Sequence, residues 1–218
     1  MKFIVFGASG KMGELIIKEA EAKGHDFLKG FSSVEDLEEI VRPDVAIDFS
    51  HADFFDEALS YCMANKIPLV SGTTGLSGVQ EQNYREAANV IPLLWASNTS
   101  MGIQVLRSLL KPLACIADWD YHIVESHHIH KKDAPSGTAK TLQQDIQQII
   151  HKDVEISAIR GGGIFGEHEI RIMGEAETIS LKHTALSRKL FAQGAVKAAE
   201  FLAGQSIGLF TMDDVLEV

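Results

Sequence analysis

Cysteine is nearly absent: Cys62 and Cys115 are the only two among 218 residues, and no CxxC spacing occurs. That argues against a disulfide framework, and both thiols stand in apolar sequence, so they read as reduced core residues of a cytoplasmic protein. Positive charge is also short, with 20 lysines and arginines against 30 aspartates and glutamates. The resulting net charge of −10 argues against nucleic acid or an anionic membrane as the main partner. No apolar run approaches the length of a membrane span. The opening Phe3-Ile4-Val5-Phe6 is too short for a targeting segment and runs straight into glycine. Repeats and low-complexity segments are missing as well. What is left is ordinary globular composition, 45% hydrophobic and 23% charged, in a chain long enough for one large domain or two small ones.

Lys2–Phe6 is β-branched and aromatic and reads as a buried strand. Gly7-Ala8-Ser9-Gly10-Lys11-Met12-Gly13 follows, then a helix over Glu14–Ala22. Strand, glycine turn and helix form the context of a dinucleotide-binding loop, here spaced GxxGxxG. His25–Phe31 should be the second strand. An NAD site would place a carboxylate at its end, but the sequence offers Gly30-Phe31-Ser32-Ser33. Hydroxyls with Lys29 suit a 2′-phosphate better, which favours NADP unless Glu35 or Asp36 folds back. Val34–Val41 reads as a short acidic helix. Strands over 43–50, 68–71 and 91–96 alternate with helices over Asp53–Asn65 and Gln80–Ala88, and end in the polar tips Ser71–Gly75 and Ser97–Gly102. That alternation predicts an α/β, Rossmann-like parallel sheet, with ligands at the carboxyl ends of the strands.

The pattern then changes. Ile103–Ala117 reads as one long apolar helix, Trp119–Glu125 as a strand and Thr138–Ile150 as a helix. Val154–Arg160, Glu167–Met173 and Glu177–His183 read as antiparallel strands, and Leu186–Leu202 as a final helix. The expected division is a dinucleotide-binding domain over 1–102, rejoined by 199–218, and a second, α+β domain over 103–198 for substrate binding and oligomerisation.

The densest chemistry lies in Val124–Lys140. Three of the nine histidines and two lysines fall between His127 and Lys132. Ala134-Pro135-Ser136-Gly137-Thr138 follows, a turn that opens a helix, where free amides suit a carboxylate or phosphate. A solvated surface loop and a catalytic cluster both fit that composition. A metal site fits less well: no cysteine is near, and His127, His128 and His130 cannot all face one ion from an extended strand.

Taken in order, these motifs resemble the 4-hydroxy-tetrahydrodipicolinate reductase (dihydrodipicolinate reductase) family. Its pattern E-x-H-H-x-x-K-x-D-A-P-S-G-T-A is met by Glu125, His127, His128, Lys131, Asp133, Ala134, Pro135, Ser136, Gly137, Thr138 and Ala139. The resemblance extends over nearly the whole chain, including Arg160-Gly161-Gly162 and Ser187-Arg188. It implies a cytoplasmic NAD(P)H-dependent oxidoreductase of the diaminopimelate route to lysine, acting on a small cyclic dicarboxylate, and a homotetramer. It places His127 and Lys131 on the proton-donating positions, and His128, Gly137 and Thr138 on substrate-binding ones. Cofactor contacts fall on Gly7, Ala8, Ser9, Gly10, Lys11 and Met12, on Gly72, Thr73 and Thr74, and on Ala96, Ser97, Asn98 and Thr99; no metal is implied. The chain departs from the family at Phe31-Ser32, where a charged pair is usual, at Thr99, where an aromatic is frequent, and at Ile129, where an arginine is. The loss at Thr99 is expected to loosen packing. Rival readings are another nicotinamide-dependent reductase of a small dicarboxylate, an inactive nucleotide-binding regulator, and a metal-dependent hydrolase, for which the sequence supplies no nucleophile.

Overall fold

A computed structural model describes residues 1–32 and 42–216. The expected Val34–Val41 helix, with Glu35 and Asp36, lies outside the described residues. The chain forms two compact units, Met1–Ser100 with Phe191–Val218, and Met101–Leu190.

In the first unit the elements run β1 (Lys2–Phe6), α1 (Lys11–Ala22), β2 (Asp26–Phe31), β3 (Val45–Asp48), α2 (Ala52–Asn65), β4 (Leu69–Ser71), α3 (Gly78–Ala87) and β5 (Pro92–Trp95). Most of α6 (Lys189–Leu202) belongs here too, followed by β10 (Gly208–Phe210) and α7 (Met212–Leu216). The sheet has the order β10-β5-β4-β3-β1-β2, and every pairing is parallel. β1 is an inner strand between β3 and β2, and Phe3 to Phe6 are fully buried, as befits a parallel strand covered on both faces. The order reverses around β1, and such a reversal is where an open α/β sheet receives a ligand. On one side the core gathers Phe6, Phe31 and Phe55 with Ile67, Leu69 and Leu93. β10 escaped the sequence reading. It is three residues long, begins with glycine and is only partly buried, so it carries no strand pattern of its own. The returning segment begins at Phe191, inside α6, rather than at 199.

The second unit carries a four-stranded sheet, β7 (Glu155–Arg160), β6 (Asp120–His127), β8 (Gly166–Met173) and β9 (Thr178–Ala185). β8 is antiparallel to both β6 and β9, but β7 runs parallel to β6. The expected antiparallel setting of the Val154–Arg160 strand is therefore corrected. α5 (Gly137–Ile150) lies between β6 and β7 in sequence, and a crossover helix returns the chain in the same direction. The long helix over Ile103–Ala117 is corrected as well. α4 spans Met101–Ser108 and a separate 3-10 turn spans Lys111–Ile116, with Pro112 near its start. Proline has no amide proton for the helix ladder, which ends the α-helical run there. One face of the sheet packs Tyr121, Ile123, Ile170 and Ile172 against Leu142, Ile146 and Ile150 of α5.

Cys62 is buried, as expected; Cys115 is exposed, which corrects its assignment to the core.

Candidate active site

In the first unit, β1 delivers the chain into the glycine loop. Gly7 adopts φ +78° and donates its amide to the Phe31 carbonyl at 2.8 Å. A Cβ on Gly13 would lie 2.2 Å from the Gly7 carbonyl oxygen, so the helix start and the loop touch backbone to backbone. Gly13 thus packs against the loop itself. α1 is capped by Gly10 with no side-chain hydrogen bond. That leaves the first-turn amides of Lys11 and Met12 for an anion, and the cradle fits a dinucleotide pyrophosphate. Ala8 packs under Gly30, and the Ser9 and Ser32 hydroxyls meet at 2.9 Å.

The second polar tip is built around Asp48, a fully buried carboxylate at the end of β3. It accepts hydrogen bonds from the hydroxyls of Ser50, Ser71 and Thr73, at 2.5, 2.7 and 2.8 Å, and from the Ser50 amide at 3.0 Å. Those four donors offset the desolvation of the buried charge. Trp95 adds an indole hydrogen bond to the Thr73 carbonyl at 2.8 Å. Thr73 is therefore turned inward, while Gly72 stays partly accessible and Thr74 is exposed. Asp48 had no assigned role in the sequence, where it is one acidic residue at a strand end.

The third tip runs from Ala96 to Thr99. Ser97 is exposed and Asn98 accepts from the Ser100 amide at 2.9 Å. Thr99 is 1% exposed and donates to the Phe191 carbonyl at 2.8 Å. α6 comes close here, with Gly194 against the Thr99 backbone carbonyl.

In the second unit, strand periodicity assembles the chemistry. The inward row of β6 begins with Tyr121 and Ile123 in the core, and continues to Glu125 and His127 at the strand's carboxyl end. Register places Ala158 beside Glu125 and Arg160 beside His127 on β7, and His168 beside Glu125 on β8. Glu125 is fully buried and His127 is 8% exposed. The carboxylate accepts from Arg160 Nη2 at 2.7 Å and Nη1 at 2.9 Å, from the Ser136 amide at 3.1 Å, and from His127 Nδ1. The His127 and His168 rings meet edge to face, with centroids 5.2 Å apart. Ser136 caps α5 by accepting from the Ala139 amide. It also hydrogen-bonds His168 Nε2 at 3.2 Å. Gly137 opens the first turn of α5, where backbone amides point out of the helix start and suit an anion. Lys131 pairs with Asp133 at 2.8 Å and is about a quarter exposed. His128 Nδ1 is buried with no hydrogen-bond partner among the described residues.

Electrostatics follow from this geometry. Burial alone would raise the Glu125 carboxyl, but hydrogen bonds from Arg160, His127 and Ser136 outweigh it and hold Glu125 below the usual carboxylate range. Burial lowers His127; the Glu125 bond opposes that, and the charges of Lys131 and Arg160 add to it. His168 is pushed down to about 4, first by burial and then by the field of His127. The hydrogen bond from Lys131 lowers Asp133.

A stability prediction arises from His168. Its folded form resists protonation, so the unfolded chain binds more protons between its ordinary value of about 6.5 and its folded value of about 4. Stability is then complete above about pH 6.5 and lost as pH falls toward about 4, by roughly 3 kcal/mol. Urea unfolding across that range should show the loss, and His168→Gln should flatten it. An unchanged pH slope in the variant would assign the loss elsewhere.

The structure brings together His127, Lys131, His128, Gly137 and Thr138 in one unit, and Gly7–Met12, Gly72–Thr74 and Ala96–Thr99 along one sheet edge of the other. Arg160 and His168 were missed as site residues. Arg160 stood in the sequence beside three glycines, but its partner Glu125 is 35 residues away. His168 alternates with charged residues on a strand and looks like surface until β8 is paired with β6.

Both halves of the chain match known proteins. Residues 1–99 match the family model described as dihydrodipicolinate reductase, N-terminus, and residues 102–216 match that described as dihydrodipicolinate reductase, C-terminus. The chain is 39% identical to the 4-hydroxy-tetrahydrodipicolinate reductase of Clostridium novyi (strain NT), over 99% of this chain and 98% of that one. It is also 39% identical to the protein of the same name from Bdellovibrio bacteriovorus, over 99% and 96%. Among solved structures, a dipicolinate-bound dihydrodipicolinate reductase from Paenisporosarcina sp. TG-14 shares the fold, with a TM-score of 0.83 at 23% identity over 97% of each chain. With both halves matched in order and full-length identity at this level, the chain belongs to the dihydrodipicolinate reductase family.

Proposed function

We propose that this protein reduces 4-hydroxy-tetrahydrodipicolinate to tetrahydrodipicolinate with a reduced nicotinamide cofactor, in the diaminopimelate route to lysine. One observation carries the reading. A buried imidazole, a lysine and the start of a helix are gathered at one end of one sheet, in a protein of net charge −10. A small dianionic ring is the substrate such a cluster suits.

Bound NAD(P)H would supply hydride, held by the Gly7–Met12 cradle and the Gly72–Thr74 and Ala96–Thr99 tips. The chain's own residues do the rest. The Gly137 and Thr138 amides hold one carboxylate. His128 falls on a substrate-binding position of the family pattern and is taken as a further substrate contact. Negative charge develops on the ring as hydride adds, and Lys131 stabilises it as a cation. His127 exchanges a proton at Nε2, because Nδ1 is committed to Glu125. Its lowered proton affinity keeps it neutral near pH 7 in the free protein. A dianion beside it reverses that bias, so substrate binding takes up a proton.

For the cofactor we infer use of both nucleotides, with NADPH modestly preferred. β2 ends in Phe31 and Ser32, and no carboxylate stands there among the described residues. The test is steady-state oxidation of NADPH and of NADH by the purified protein, supplied with the product of the preceding synthase. A modestly higher kcat/KM for NADPH is expected. No oxidation of either nucleotide would refute the function, and a large NADH preference would refute the cofactor assignment alone. The same reading carries a homotetramer in the cytoplasm; no described helix is long and apolar enough to cross a membrane.

A further inference from the structure

Glu125 is fully buried yet carries four hydrogen bonds: two from Arg160, one from the Ser136 amide and one from His127 Nδ1. A buried carboxylate needs such partners to offset the loss of water. Tying β6 to β7 and to the start of α5 would require only Arg160 and Ser136. The fourth bond does something else. With Arg160 fixing the carboxylate in its ionised form, Glu125 can only accept, so His127 must carry its proton on Nδ1. Nε2 then lies toward Gly166, where an added Cβ would sit 3.0 Å from it. Glycine at that position leaves the nitrogen room.

We propose that Glu125, clamped by Arg160, is a positioning residue that locks the His127 tautomer and presents Nε2 as the proton-exchanging atom. The proposal rests on His127 being the acid–base group inferred above. One carboxylate also holds the Ser136 amide, so the imidazole is registered to the anion-binding amides of Gly137 and Thr138 that follow it. The arrangement parallels a familiar device in which a carboxylate orients a catalytic imidazole without taking its proton.

The charged and titratable groups facing His127 are Glu125 on its own strand, Arg160 on β7, His168 on β8, and Lys131 in the following loop. Of these Glu125 alone favours the imidazolium. Removing its charge must move the ionisation of His127 to lower pH.

Two measurements on the full-length enzyme test this. The first is 15N NMR of histidine-labelled wild-type protein, with His127 assigned by loss of its signals in His127→Gln. The Nδ1–H tautomer is expected above the ionisation; an Nε2–H tautomer overturns the proposal whether or not any variant folds. The second is Glu125→Gln. Its kcat is expected to fall about tenfold or more, with the substrate KM changed less than about threefold, and the fall of kcat/KM with rising pH should begin at lower pH. Wild-type kcat and an unmoved pH profile in Glu125→Gln, alongside a slow His127→Ala, overturn the positioning role and leave the site reading intact. Wild-type turnover in His127→Ala overturns both.

Discussion

His127→Ala and Lys131→Ala are each expected to lower kcat by about 100-fold or more, the usual scale of an acid–base contribution. The two side chains are asked to do different things. His127 is buried on a strand and hydrogen-bonded to Glu125, and in the proposed mechanism it exchanges a proton at a set position. Lys131 sits in the loop after β6, a quarter exposed and paired with Asp133 at 2.8 Å. Its proposed part is to supply charge and reach. Lys131→Arg should therefore retain more activity than Lys131→Ala, because a cation persists even where the geometry of an ammonium does not. Losses in the double variant should be smaller than the product of the single ones, since both act on one developing charge. Stopped-flow and steady-state turnover would settle it; wild-type turnover in both single variants removes the site assignment.

Gly194→Ala should be the most damaging single methyl in the molecule. A Cβ at Gly194 would lie 1.6 Å from the Thr99 carbonyl oxygen and 2.7 Å from its carbonyl carbon. Backbone cannot rotate aside as a side chain can, so α6 or the Ala96–Ser100 tip must move. A loss of about 3 kcal/mol or more is expected, at the upper end of overpacking effects. The tip is also held by the Thr99 hydroxyl on Phe191 and by Asn98 on the Ser100 amide. The nucleotide KM should therefore rise along with the fall in stability. Gly78→Ala is the control: nothing lies within 4 Å of its added Cβ, at the first residue of α3. Denaturant unfolding of both variants, with nucleotide titration, checks the pair. A Gly194→Ala protein as stable as wild type would show that α6 does not pack as described.

The legible parts of the sequence were those where a local pattern carries the information. β1 announces itself by four consecutive buried apolar residues, and the glycine loop by its place directly after them. α5 is marked by Ser136 as a cap and by Leu142, Ile146 and Ile150 at helical spacing. The parallel direction of β7 was not legible, because a strand's residues do not say which way its neighbour runs. Nor was β10, which joins the sheet only because β5 offers it an edge. The break after α4 has a local signal in Pro112, set among apolar residues that continue the helical pattern.

The site divides the same way. His127, Lys131, Gly137 and Thr138 share one short stretch, so local sequence and a family resemblance were enough to bring them together. By itself the sequence determined an α/β chain with a nucleotide-type glycine loop, an acidic surface and one dense imidazole–amine cluster, because each depends on residues near one another along the chain. Only tertiary structure decided that Glu125 meets Arg160 and that His168 flanks His127. It also decided that Thr73 and Thr99 turn inward and that Cys115 faces out. Those outcomes depend on strand register and packing between distant segments, where a side chain's partner is set by geometry that no local pattern encodes.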